Sequence, residues 1–211
     1  HGSFQGRLAH YLCEQAESTD TPRDHASKIR LLQQAIDTAP HAARAPLAMA
    51  KVLSESGQSQ AAYDTLKRLA QSAPTAVPLL APRLSVLAQE LNCIDDALLF
   101  LEHLYQHTAS LDVLQAIVSL RTAKGEIDTS AWFGKHLERE PSLVAATQWI
   151  ANEKFEHQQF HPQVLRALER AAKPLQRYRC AACGFEATQH FWQCPGCQAW
   201  DSYPPKRIEE L

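Results

Sequence analysis

The chain has 211 residues, 45% of them hydrophobic, and a formal net charge of −2, so it can bury a core in one or two domains and has no overall pull toward nucleic acid or anionic lipid. No apolar run approaches the roughly 18 residues that span a bilayer, and His1, Gly2 and Ser3 read as a cloning or tag remnant without the apolar centre of a signal peptide. Of six cysteines, Cys13 and Cys93 stand alone and four are paired at C-x2-C spacing near the end, which suits a metal site in a reducing, cytosolic compartment better than a disulfide scaffold.

Residues 4 to 173 read as helix throughout, because apolar residues recur at steps of three and four and no alternating pattern is sustained. The first helix falls around Leu8 to Ala16, followed by a polar loop from Ser18 to Asp24 containing Pro22. Ile29, Leu32 and Ala35 mark the second helix of that hairpin. Pro40 and Pro74 are one tetratricopeptide period of about 34 residues apart, each five positions after an apolar residue, Ala35 and Leu69. Between them Ala50 and Ala62 are small enough to let two helices approach, Gly57 occupies the turn, and Leu66 and Leu69 face the next hairpin.

A degenerate second unit repeats the small pair as Ser85 and Ala97, then Leu101 and Leu104, but has no glycine in its turn. A third runs from Leu111 to Pro141 with Gly125 in its turn. Residues 142 to 173 form two more helices, the last starting near Pro162, and Pro174 ends the helical region. The fold class predicted is an all-α tetratricopeptide-repeat solenoid over 4–173, a linker at 174–177, and a small metal ribbon over 178–205. Such hairpins present their first helices along a concave groove, which nominates Arg44, Lys51 and Glu55 as partner-binding residues.

The ribbon reads Y-R-C-A-A-C-G-F, then W-Q-C-P-G-C-Q-A-W, and six aromatics fall between Tyr178 and Tyr203. Each half predicts a knuckle in which two thiolates at i and i+3 converge on one centre; Gly184 accommodates a left-handed turn in the first, and Pro195 with Gly196 shapes the second. Cys180, Cys183, Cys194 and Cys197 would hold one zinc or iron ion in a shell closed to water and substrate, which points to a structural or electron-carrying role. In comparable small modules metal binding contributes about 10 to 16 kcal/mol to folding. His190 lies between the knuckles and is not needed as a ligand. Phe185, Trp192 and Tyr203 are expected to cover the ion, and Trp200 or Phe191 to press against the helices, since the linker is too short to let the ribbon roam.

Elsewhere, Trp132, Phe133 and Trp149 fall at helical spacing and read as core, Cys13 and Cys93 as small buried residues, and His157 with His161 as a solvated loop. No phosphate loop, nucleophile elbow or carboxylate pair is present, so the chain reads as non-enzymatic. Lys173, Arg177 and Arg179 cluster near the first knuckle, but Glu186 and Asp201 dilute their field, which disfavours a nucleic-acid ribbon.

Repeats followed at once by this four-cysteine pattern resemble the lipopolysaccharide assembly protein B family of Gram-negative bacteria, from about His10 to Pro205. The resemblance implies a rubredoxin-like ribbon and an adaptor at the cytoplasmic face of the inner membrane. It also implies two partners, the membrane protease FtsH and its substrate LpxC, the deacetylase of the lipid A pathway. The family carries a membrane helix and further repeats ahead of this region, so the resemblance implies a cytosolic piece of a longer protein. Lys28 departs from the repeat consensus, where a small residue is usual. The alternative is an iron-binding redox or electron-transfer module on a helical scaffold.

Overall fold

The computed structural model describes residues 3–18, 25–126, 129–153 and 158–211. Most of the polar loop containing Pro22, and His157, lie outside the described residues. Among the described residues the chain is helical up to Ala172 and then enters a small ribbon, the predicted fold class. It divides into two compact units, His1–Cys93 and Ile94–Leu211, so the ribbon shares a unit with the later helices.

The first unit comprises α1 (Phe4–Ser18), α2 (His25–Thr38), α3 (Arg44–Glu55), α4 (Ser59–Ser72) and α5 (Val77–Glu90). Each presents an apolar stripe at three- and four-residue steps: Ala9, Cys13 and Ala16 on α1, Leu32 and Ala35 on α2, Met49, Ala50 and Leu53 on α3, Leu66 and Leu69 on α4, and Leu80, Leu84 and Leu87 on α5 are buried. Ala50 and Ala62 are fully buried where α3 and α4 pack, as the small-residue pairing predicts. Cys13 is buried and Cys93 half-buried.

The helix stops explain the repeat. After α3 the Gln58 amide donates to Leu53 O and the Gly57 amide to Ser54 O, with Gly57 at φ +78°, a Schellman stop that satisfies the last carbonyls. The same pair of bonds recurs at Gly125, φ +93°, where Glu126 donates to Arg121 O. The degenerate unit without a turn glycine makes it too: Cys93 donates to Ala88 O, and Asn92 takes the left-handed position at φ 55°. Asparagine tolerates that region better than other residues with a Cβ, so the stop survives while its sequence signal is lost.

The second unit comprises α6 (Ile94–His107), α7 (Leu111–Ala123), α8 (Ser130–Leu137), α9 (Leu143–Asn152), α10 (His161–Ala172), a short 3-10 turn over Lys173–Gln176, and the ribbon. Leu101, Leu114, Ile117, Leu120, Phe133, Val144 and Ala145 form its core. Of the three aromatics expected there, only Phe133 is buried. Trp132 and Trp149 are half-buried, and Trp132 lies under the Arg121 guanidinium at 4.5 Å, itself bonded to Glu102 and Glu126. His136 is almost fully buried and its Nδ1 is 2.6 Å from the Tyr105 hydroxyl. His161 begins α10 rather than lying in a loop, and its Nε2 is 2.9 Å from Ile150 O. No helix among the described residues is long and apolar enough to cross a membrane.

Candidate metal centre

The ribbon opens with strand β1 (Tyr178–Arg179), paired antiparallel with β2 (Glu186–Ala187) so that Tyr178 faces Ala187 and Arg179 faces Glu186. The first knuckle is the turn between them. The Cys180 amide donates to Phe185 O and the Gly184 amide to Cys180 O, with Gly184 at φ +77°. The second knuckle repeats the design: Cys194 donates to Ala199 O and Gln198 to Cys194 O, with Gln198 left-handed at φ 57°. The left-handed residue of the second turn is thus Gln198. Gly196 serves a different purpose, since a Cβ there would sit 3.2 Å from the Phe185 ring.

These turns bring the four cysteine sulfurs within 4.8 Å of one another. Cys180 and Cys197 are 3.8 Å apart, and Cys183 and Cys194 are 3.7 Å apart. A tetrahedral ion with metal–sulfur bonds of about 2.3 Å has sulfur–sulfur edges of about 3.8 Å, so the spacing fits one ion with four thiolate ligands. An all-sulfur tetrahedron suits zinc or iron, and it leaves no position for a water ligand.

The protonation chemistry asks for a cation. Burial pushes Cys180 up, but Ser202 and the Cys183 and Ala182 amides outweigh it and bring the thiol down to about 6. For Cys183 the Phe185 amide lowers the value, yet burial and the three neighbouring sulfurs prevail and push it up to about 12. Four sulfurs this close cannot all ionise together unless a positive ion sits among them.

Around the sulfurs, Ser202 Oγ lies 3.2 Å from Cys180 Sγ, and buried Tyr203 places its hydroxyl 4.0 Å from Cys194 Sγ while donating to Phe185 O. His190 sits within the aromatic cluster of Tyr178, Trp192 and Tyr203, with Nε2 3.0 Å from Tyr203 O. Cys180 and Cys194 are buried; Cys183 and Cys197 are exposed. Arg177 and Arg179 both pair with Glu186, so one carboxylate offsets part of the charge of this cationic pair.

The residues after Pro205, which sequence reasoning left without a role, anchor the ribbon to the helices. Arg207 grips Asp112 of α7, Glu210 accepts from the Leu111 amide at 2.8 Å, and Glu209 accepts from the Leu143 and Val144 amides at 3.0 and 3.3 Å. The Tyr178 ring lies 4.2 Å from the Arg207 guanidinium, an aromatic contact to the tail and not the docking of Trp200 or Phe191 on a helix that the sequence suggests. The only sequence signal was an acidic pair, Glu209 and Glu210, whose targets lie about 65 to 100 residues upstream.

The three nominated groove residues have different environments. Arg44 is buried, bonded to Glu17 at 3.0 Å and close to His10 and Glu14, and so ties α3 to α1. Lys51 and Glu55 are exposed one turn apart on α3, 3.9 Å from each other.

Comparison with known proteins places both halves of this pattern. A rubredoxin metal binding domain family matches residues 178–205, and a tetratricopeptide repeat family matches 24–89. Lipopolysaccharide assembly protein B of Haemophilus influenzae is 26% identical over 209 residues, covering 96% of this chain and 52% of that protein. This chain is similar to lipopolysaccharide assembly protein B over nearly its whole length. The Escherichia coli K12 protein of the same name is 24% identical over 208 residues, with 95% and 53% covered. The chain therefore spans about half the length of the curated relatives it matches. Among solved structures, a MamA double mutant (RS-1 ArsTM) aligns with a TM-score of 0.50 at 13% identity, over 80% of this chain and 97% of that one, a likeness of fold alone.

Proposed function

We propose that this chain is the adaptor region of a protein acting in lipopolysaccharide assembly, as its relatives' name indicates, and that it works without catalysis of its own. The observation that carries the reading is the combination itself: helical repeats suited to holding a partner and a metal shell filled by four cysteines, aligned with lipopolysaccharide assembly protein B across nearly the whole chain. In this reading the protein sits at the cytoplasmic face of the inner membrane and brings LpxC to FtsH, so that proteolysis limits lipid A synthesis. Lys51 and Glu55, exposed on α3, are available to a partner, whereas Arg44 acts indirectly by fixing α1 against α3. The ion, when bound, supplies the cross-link that keeps the two knuckles folded. The chain's own residues orient it: the knuckle amides point at Cys180 Sγ, the Ser202 oxygen, whose hydroxyl donates to Ala199 O, lies against that sulfur, and Tyr203 closes one side.

The test is to express the full-length protein carrying Cys194→Ser and follow LpxC turnover and co-recovery of FtsH. The expected result is stabilised LpxC and lost recovery with most helical circular dichroism retained; normal turnover by a metal-free variant would contradict it. One observation favours a second reading. Two of the four cysteines are exposed, as an electron-carrying iron site requires, and a red, reducible protein from unsupplemented growth would support that role.

A further inference from the structure

The C-terminal tail has more contacts than an anchor for a small ribbon needs, and they fall on two helix starts. Glu209 accepts from the Leu143 and Val144 amides and from the Ser142 hydroxyl, while Ser142 Oγ accepts from the Ala145 amide, so the first three amides of α9 are satisfied by the tail and its cap. Glu210 accepts from the first amide of α7 and, with its other oxygen, from Arg207. Carboxylates at helix N-termini satisfy orphan donors and complement the macrodipole. The same tail walls a cavity of about 260 Å³ lined also by His136, Glu140 and Ser142.

Beyond its helix contacts, the tail is tied to the segment before the ribbon, where Arg207 donates to Gln176 O and Ile208 to Arg177 O, and to the ribbon that leads into it. Ala181 donates to Ser202 O, Asp201 to Trp192 O and Cys194 to Ala199 O, and His190 contacts Tyr203 O, so the chain leading into the tail is bonded residue by residue to the knuckles. Pro204 and Pro205 then fix two successive φ angles, and Arg207 returns to stack on Tyr178, two positions before Cys180. Without an ion a ribbon this small lacks the burial to stay folded. Residues 206–211 would then follow a long flexible segment, at much lower effective concentration near their contacts.

We propose that residues 206–211 are a metal-controlled strap: with an ion among the four sulfurs the ribbon holds Glu209 and Glu210 on α9 and α7, and loss of the ion releases the tail, uncaps both helices and opens the cavity. This rests on the ribbon binding metal and is independent of which partners the protein recruits. The signal of metal loss thereby reaches helices that contribute no ligand.

The experiment is residue-resolved amide hydrogen exchange on the full chain, zinc-loaded and chelator-stripped, with metal content measured for each sample. On stripping, the Leu111, Leu143 and Val144 amides should exchange about five to thirty times faster, the range expected for losing a helix cap, while Ala50 and Leu66 stay protected. A zinc-loaded Glu209→Ala, Glu210→Ala variant should keep its ion yet show the same faster exchange at those three amides. Unchanged protection on stripping, an equal loss throughout α3 and α4, or a chain that takes up no zinc would each overturn the strap.

Discussion

Arg207 and Asp112, 95 residues apart, form a two-pronged ion pair, with Nη2–Oδ1 at 2.7 Å and Nε–Oδ2 at 2.9 Å. The Asp112 side chain is only 5% exposed, so the guanidinium replaces the water that a carboxylate would otherwise bind. Arg207→Ala should therefore destabilise the protein by about 3 kcal/mol in urea unfolding, because it strands a buried carboxylate. Arg207→Lys should recover only part of this, since an ammonium cannot make the paired bonds or the stack on Tyr178. An Arg207→Ala variant as stable as the parent would show that Asp112 finds another partner.

The left-handed stop at Asn92 gives a second expectation. Asn92→Val places a β-branched residue at φ 55° and should cost about 1 to 2 kcal/mol, whereas Asn92→Gly should be nearly neutral. Thermal midpoints of the two variants check this. Equal midpoints would mean that the turn relaxes out of the left-handed region.

Stability should fall on mild acidification through His136. Burial lowers its value below the ordinary 6.5, so the unfolded chain binds a proton there that the native state refuses. The stabilisation is fully present above 6.5 and is lost as pH falls from 6.5 through the lower folded value. Glu210, raised by burial above its ordinary 4.5, works in the opposite sense over its own window. Comparing the parent with His136→Gln between pH 7.5 and 5.5 isolates the histidine: the variant should lose less stability over that interval, and parallel slopes would refute the assignment.

At the metal, Ser202→Ala removes a hydroxyl 3.2 Å from Cys180 Sγ. Affinity should drop by about tenfold in chelator competition, the low end for a group that orients a ligand, with one ion per chain still bound at saturation. Unaltered affinity would leave the backbone amides as the only hydrogen-bonding support for that sulfur.

Much of this was legible in the sequence where one residue type has one physical use. Ala50 and Ala62 mark a close helix contact, Gly57 and Gly125 mark left-handed stops, and two C-x2-C pairs mark knuckles. What was hidden involved residues with several uses. Asn92 and Gln198 occupy left-handed positions that composition assigns to glycine, and Arg44 looks like a groove cation yet is buried against α1. The tail was the least legible, because Glu209 and Glu210 cap helices whose starts are distant in sequence and carry no mark of awaiting an external carboxylate.

The metal centre is the claim on which the ribbon, the strap and the adaptor reading converge, and X-ray absorption on freshly purified, reduced protein with parallel elemental analysis tests it most directly. The expected result is one zinc or iron per chain, surrounded by four sulfur scatterers at about 2.3 Å and no oxygen or nitrogen ligand. Metal-free protein with an intact ribbon, or a shell containing water or histidine in place of any of Cys180, Cys183, Cys194 and Cys197, would contradict it.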